Sequence, residues 1–296
     1  MTSKAYLLRC DSGFTLTELM VASTIGLIVL GLGIQSTNAM RYLYLHDIVR
    51  TRMHQDMRSA LDIMGVNIRQ AGENFNASFP AIQLIDGGAG SDELVLHRNL
   101  IDEVLNVCTD VNSGSGVTNI YFAIAGTEQG CAYSDNLFGF SSWQSFRTAH
   151  GGQAQGYILN LGSKLGEFFT YSGETDNGST ELSLQTGSGA WSRDYPAGTS
   201  ALYVLEKWNF RLVDDVLQLV INDDQDNALN VAFGLTDFQV RAHLQDGSTL
   251  DELNISHNWT RLESIEVELR AEDSFAGQTI SDTLSSRFFP RNILSN

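Results

Sequence analysis

The chain has 296 residues, and 18 lysines and arginines stand against 35 aspartates and glutamates, a net charge of −17. A field of that sign repels phosphate, so the composition argues against a nucleic-acid ligand and fits the solubility of an acidic exported domain. The length, less an apolar N-terminal helix, supports one large domain or two small ones.

Residues 13 to 18 read Gly13-Phe14-Thr15-Leu16-Thr17-Glu18, and twenty-two uncharged residues follow, Leu19 to Met40. An ionised carboxylate inside a bilayer costs roughly 2.5–3.5 kcal/mol on insertion scales, so a lone glutamate there calls for a partner. The nearest candidate is the α-amino group that Phe14 gains if the chain is cut after Gly13. A conventional signal peptide fits less well. Lys4 and Arg9 supply a basic start, but no small-x-small cut site follows the apolar stretch. A plain membrane anchor is the other simple reading. Charge does not set the orientation, because Arg41, Arg50 and Arg52 follow the segment.

The word from Gly13 to Glu18 resembles the cleavage and methylation site of type IV prepilins. The resemblance implies a prepilin peptidase that cuts after Gly13 and N-methylates Phe14, with the cut on the cytoplasmic face of the inner membrane. It also implies that Glu18 neutralises the terminal amine of a neighbouring subunit during assembly. Thr17 departs from the family, which more often has an apolar residue there. On this reading residues 1–13 are a leader, 14–40 a transmembrane and assembly helix, 41–72 its amphipathic continuation and 73–296 a periplasmic head.

From Met40 to Ala71 there is no proline, Gly65 is the only glycine, and Tyr44, Ile48, Met53, Met57, Leu61, Met64 and Ile68 recur at helical spacing. The pattern predicts one helix from Phe14 to Ala71, stopped at Gly72. The alternative is a break near Gly31 to Thr37, since Gly26, Gly31 and Gly33 each weaken helicity by about 1 kcal/mol relative to alanine.

Beyond Phe75 the pattern turns to strands: Glu93–Arg98, Val117–Ala125, Ala201–Leu205, Trp208–Val213, Val216–Ile221, Phe238–Leu244 and Ser264–Arg270. In the last, Ile265, Val267 and Leu269 alternate with Glu266, Glu268 and Arg270. Residues 111–198 are rich in Gly, Ser and Thr and read as an elaborated loop region. One long helix followed by strands makes an α+β chain, here a type IV pilin-like helix packed on an antiparallel β head.

Three cysteines occur, and Cys10 falls in the leader. Cys108 and Cys131 remain, and in the oxidising periplasm they read as a disulfide closing about 24 residues, worth roughly 3 kcal/mol. Two buried free thiols are the alternative. Two thiols with no nearby histidine pair make a poor metal site.

A second resemblance, to PilW-type minor pilins, lies in Gly90-Ser91-Asp92-Glu93-Leu94-Val95, in Leu235-Thr236-Asp237-Phe238-Gln239-Val240-Arg241, and in Phe289-Pro290-Arg291-Asn292. It implies a minor pilin acting in pilus assembly or initiation, in a tip or priming complex, with other minor and major pilins as partners through the N-terminal helix. The J-type minor pseudopilins of type II secretion share the layout. A different class remains open, a membrane-anchored adhesin that uses the 111–198 region.

Few other constellations bear on chemistry. Asn222, Asp224 and Asp226 put oxygens at alternate positions, like the start of a calcium loop, but Asn227 stands where the loop glycine belongs and Phe233 where its glutamate does. An exposed turn is the simpler reading. Phe138, Phe140, Trp143 and Phe146 form an aromatic cluster, either a platform for sugar or partner or, more commonly, residues packed beneath their own loop. His46 and His54, eight apart, read as a surface pair. No nucleophile elbow, phosphate loop or zinc signature occurs, so no enzyme activity and no cofactor is implied.

Overall fold

The structure, a computed structural model, describes residues 15–75, 79–127, 130–187 and 189–292. The chain divides into two compact units, Met1–Arg52 and Met53–Asn296. Helix α1 (Leu16–Gln70) begins in the first and ends in the second.

In the first unit α1 runs without the break that Gly31 to Thr37 invited. Gly26, Gly31 and Gly33 stay helical, with no atom within 4 Å of where a Cβ would stand. An unbroken helix is what a membrane span requires, because a lipid-facing backbone must satisfy its hydrogen bonds internally. Thr24 and Thr37 also donate their hydroxyls back to the carbonyls of Met20 and Gly33.

In the second unit one face of α1 is buried: Met53, Met57, Ala60, Leu61, Met64 and Ile68. Each larger side chain contributes roughly 1.5–3 kcal/mol by leaving water. The helix stops at Gly72, whose φ of +80° suits glycine and whose missing Cβ makes room for the Trp259 ring. The Gly72 N–H then donates to the His97 carbonyl.

The strands are β1 (Ile82–Ile85), β2 (Glu93–Asn99), β3 (Leu105–Asn106), β4 (Asn119–Ile124), then helix α2 (Tyr133–Ala149), β5 (Ala154–Asn160), β6 (Leu165–Asp176) and β7 (Glu181–Thr186). They continue as β8 (Ser200–Tyr203), β9 (Leu205–Val213), β10 (Val216–Ile221), β11 (Leu229–Phe233), β12 (Leu235–Leu244), β13 (Thr249–Leu250), β14 (Leu262–Phe275) and β15 (Gln278–Phe288). They form three antiparallel sheets, ordered β1-β2-β9-β10-β11, β13-β12-β14-β15 and β3-β8-β5-β6-β7-β4.

The third sheet corrects the loop reading of residues 111–198. That stretch supplies four of the six strands and α2, around a core that includes Phe122, Trp143, Tyr171, Leu182, Leu184 and Tyr195. Its long strand β6 is hard to see in sequence because it buries little. Of the twelve residues of β6, only Phe169 and Tyr171 are buried. Arg147 on α2 makes a bidentate pair with Glu174 on β6, at 2.7 to 3.0 Å, and fixes the helix to the sheet. The strand predicted at Ala201–Leu205 is also divided. Buried Val204 is the crossing point, with β8 in the third sheet and β9 in the first.

Candidate assembly motif and the head-domain joint

Thr15 opens α1, and Glu18 lies three residues on. The Thr15 N–H donates to Glu18 Oε2 at 3.0 Å, the Thr15 hydroxyl donates to the same oxygen at 2.9 Å, and the Glu18 N–H reaches Thr15 Oγ1 at 3.3 Å. This is a capping box, in which two otherwise orphaned helix N–H groups are satisfied reciprocally. The motif alone does not single out Thr15; its signal is the Thr-x-x-Glu spacing. Glu18 Oε1 takes no part in these bonds, so the carboxylate can still accept from a cation. Gly13 and Phe14 lie outside the described residues.

Behind the box, α1 is the one helix among the described residues that is long and apolar enough to cross a membrane. Its most apolar window has a mean hydropathy of 1.9 and is nowhere buried. Leu19, Met20, Ile28, Leu30 and Ile34 are all exposed.

The head brings together two distant words, residues 90–95 and 235–241. The Asp92 N–H donates to the Phe238 carbonyl at 2.8 Å, and the Val240 N–H donates to Asp92 Oδ2 at 2.8 Å. Asp92 Oδ1 accepts from the Gly87 N–H at 3.0 Å, the Ser91 hydroxyl donates to Asp237, and Gln239 Nε2 donates to the Gly90 carbonyl. Burial pushes the Asp92 carboxyl above its usual range, against the pull of its two backbone N–H donors. The third word meets the end of α1. Asn292 Nδ2 donates to the carbonyls of Gln70 and Ala71, at 3.2 and 3.1 Å.

Cys108 and Cys131 are joined in a disulfide with Cα atoms 5.8 Å apart. The acidic turn uses its own oxygens. Asn222 Oδ1 accepts from the Lys207 N–H, Asp223 pairs with Lys207 Nζ at 2.7 Å, and Asp224 accepts from both nitrogens of Asn227. No cluster of three metal-ligating side chains occurs among the described residues. Asn222 and Asp223 take positive φ, as turn-forming Asn and Asp do.

The aromatic cluster does not assemble a platform. Trp143 is fully buried with its Nε1–H on the Glu103 carbonyl, and Phe140 and Phe146 pack against the core, leaving Phe138 exposed. His46 and His54 are not a surface pair. His54 Nε2 lies 2.8 Å from Asp282 Oδ2, on the side of the helix that meets β15.

A methylation-type N-terminal word, run on into an apolar helix and joined to an antiparallel β head, supports a type IV pilin-like protein. Residues 8–34 match the family model described as the prokaryotic N-terminal methylation motif. That motif is the kind processed by prepilin peptidase, and with the long apolar helix α1 it fits a membrane-anchored pilin. No curated protein and no solved structure matches the chain.

Proposed function

We propose that this chain is a minor type IV pilin of the PilW type, working in pilus assembly or initiation within a tip or priming complex. The observation that carries the reading is the methylation motif at residues 8–34, with Glu18 set in a capping box at the head of an exposed apolar helix. Its work is assembly. The helix holds the subunit in the inner membrane, with the head in the periplasm, and then bundles with the helices of other minor and major pilins.

Glu18 gives the transfer its chemistry. The capping box supplies Oε2 with two donors, which offsets part of the cost of a carboxylate in apolar surroundings. The charge itself is left for a cation, and the N-methylated amine of a neighbouring Phe14 would supply one. A charge pair at low dielectric is geometrically demanding, so it sets register as well as affinity.

N-terminal mass spectrometry of the mature protein tests the processing step. The chain should begin at N-methyl-Phe14, and Gly13→Ala should slow or block the cut. An intact Met1, or a cut near Ala39, overturns the proposal. In a deletion strain, lost pili with normal secretion supports the minor pilin, whereas lost secretion with normal pili assigns a type II secretion pseudopilin instead.

A further inference from the structure

Several sheet edges in the head are covered or polar, whereas that of β11 is open and apolar. Leu84 on β1 exchanges two backbone hydrogen bonds with Leu253. The Cys108 and Cys131 segments bond to Tyr121 and Ile124 of β4. The long edge strand β15 presents exposed Thr279, Ser281, Thr283, Ser285 and Arg287 to solvent. By contrast, among the described residues β11 pairs only with β10 and its other edge is open, and it contains no lysine, arginine or proline. Leu229 is 52% exposed and Phe233 61%. Natural proteins suppress such an edge because its unpaired N–H and C=O groups template another strand. One left apolar and open suits strand addition by a partner.

The charges around it say what kind of strand. The turn before β11 exposes Asp223, Asp224 and Asp226, and among the described residues only Asp223 has an ion-pair partner, Lys207. At the other end the β9–β10 turn exposes Asp214 and Asp215, and the Asp215 carbonyl accepts from the Leu235 N–H just past β11. Both ends of the open edge are therefore acidic. A second copy is a poor occupant. Antiparallel pairing about a two-fold axis would set Asp223, Asp224 and Asp226 of one copy beside Asp214 and Asp215 of the other.

We propose that the open edge of β11 is a docking strand for an extended segment of a different protein, apolar at its centre and flanked at both ends by lysine or arginine. Backbone hydrogen bonds along Leu229–Phe233 would supply the pairing, Phe233 an apolar anchor, and the two acidic turns the choice of partner.

The test uses the full chain in detergent micelles and amide hydrogen exchange at residues 229–233. Three probes are compared: the peptide Lys-Val-Thr-Val-Thr-Lys, the same peptide with glutamate at both ends, and the lysine peptide N-methylated at alternate amides. Only the first should slow exchange at β11. Phe233→Lys should abolish the protection, and Asp214→Asn with Asp215→Asn should weaken it without unfolding the head, since all three side chains are exposed. Equal protection by all three peptides, or by none, overturns the proposal. So does protection that rises with protein concentration in the absence of peptide, which would make the occupant a second copy.

Discussion

The Phe288 ring lies against the bare Cα of Gly65, so closely that a Cβ there would overlap it. Gly65 sits in the last two turns of α1, on its buried face, and Phe288 closes β15, so helix and sheet meet through this contact. Arg69, one turn further along the helix, holds its guanidinium 5.9 Å from the same ring and limits where it can go.

Gly65→Ala should therefore destabilise the protein although alanine is the better helix former. The propensity gain is about 1 kcal/mol, while forcing a methyl into a packed contact costs roughly 1–3 kcal/mol. Pairing it with Phe288→Leu should recover part of the loss, so that the double variant is more stable than the sum of the single changes. Denaturant midpoints of the four proteins check this. A stabilised Gly65→Ala would show that the ring gives way freely.

Gly65 also marks where the sequence stops being readable. Its periodic neighbours Met57, Leu61, Met64 and Ile68 show a helix face, but a glycine among them reads only as a weakness until the partner strand is in place. Strand β10 is legible to the residue because Val216–Ile221 is an apolar run between two acidic turns, and β14 because Ile265, Val267 and Leu269 alternate with charge. The third sheet is only partly legible: β4 and β8 fall on the predicted runs Val117–Ala125 and Ala201–Leu205, whereas the consecutive strands β5, β6 and β7 lie in a Gly-, Ser- and Thr-rich stretch, and β6 buries only two residues in twelve. At the N-terminus the word from Gly13 to Glu18 is plain. The capping role of Thr15 needs the helix start to be located first.

His97 gives the fold a pH dependence. It lies buried edge-on to Phe79, with Nδ1 3.4 Å from the Ala81 carbonyl, which can only accept, so Nδ1 carries the proton. Burial first, then the Lys207 charge, push its pKa down to about 3. The unfolded chain titrates near 6.5. Between these values the unfolded state binds a proton that the folded state refuses, so stability falls as pH drops from 6.5 toward 3. At pH 5 the His97 contribution to that loss should be about 2 kcal/mol. His97→Gln should flatten this part of the profile, whatever it does to stability at pH 7.5. Parallel profiles for the two proteins between pH 7.5 and pH 5 would refute the assignment.

The Cys108–Cys131 disulfide closes the segment that carries β4, an edge strand of the third sheet. Replacing both cysteines by serine should cost roughly 3 kcal/mol in the chain-entropy model, with faster amide exchange in β4 and α2 before other parts of the head. Thiol labelling of the native, unreduced protein should find neither cysteine reactive. Two readily alkylated thiols would show that the bridge does not form in the mature protein.

Glu18 has two separable duties, and the capping box shows how to divide them. Glu18→Ala removes the cap and the charge together. Glu18→Gln keeps an acceptor for the Thr15 N–H, because glutamine serves a capping box as glutamate does, but it carries no charge. Thr15→Ala spares the charge and removes the hydroxyl that bonds to it. If the carboxylate pairs with a neighbour's amine, both Glu18 variants should be processed and inserted normally yet fail to enter the pilus. Insertion should even ease, since the lone charge costs roughly 2.5–3.5 kcal/mol. Thr15→Ala should assemble with only a mild loss, of the order of the 0.5–2 kcal/mol that a helix cap is worth. Cell fractionation and pilus counts on the same strains read out both steps. Full piliation with Glu18→Gln, in a background where deleting the protein abolishes pili, would leave capping as the residue's only role and move subunit recognition to the head.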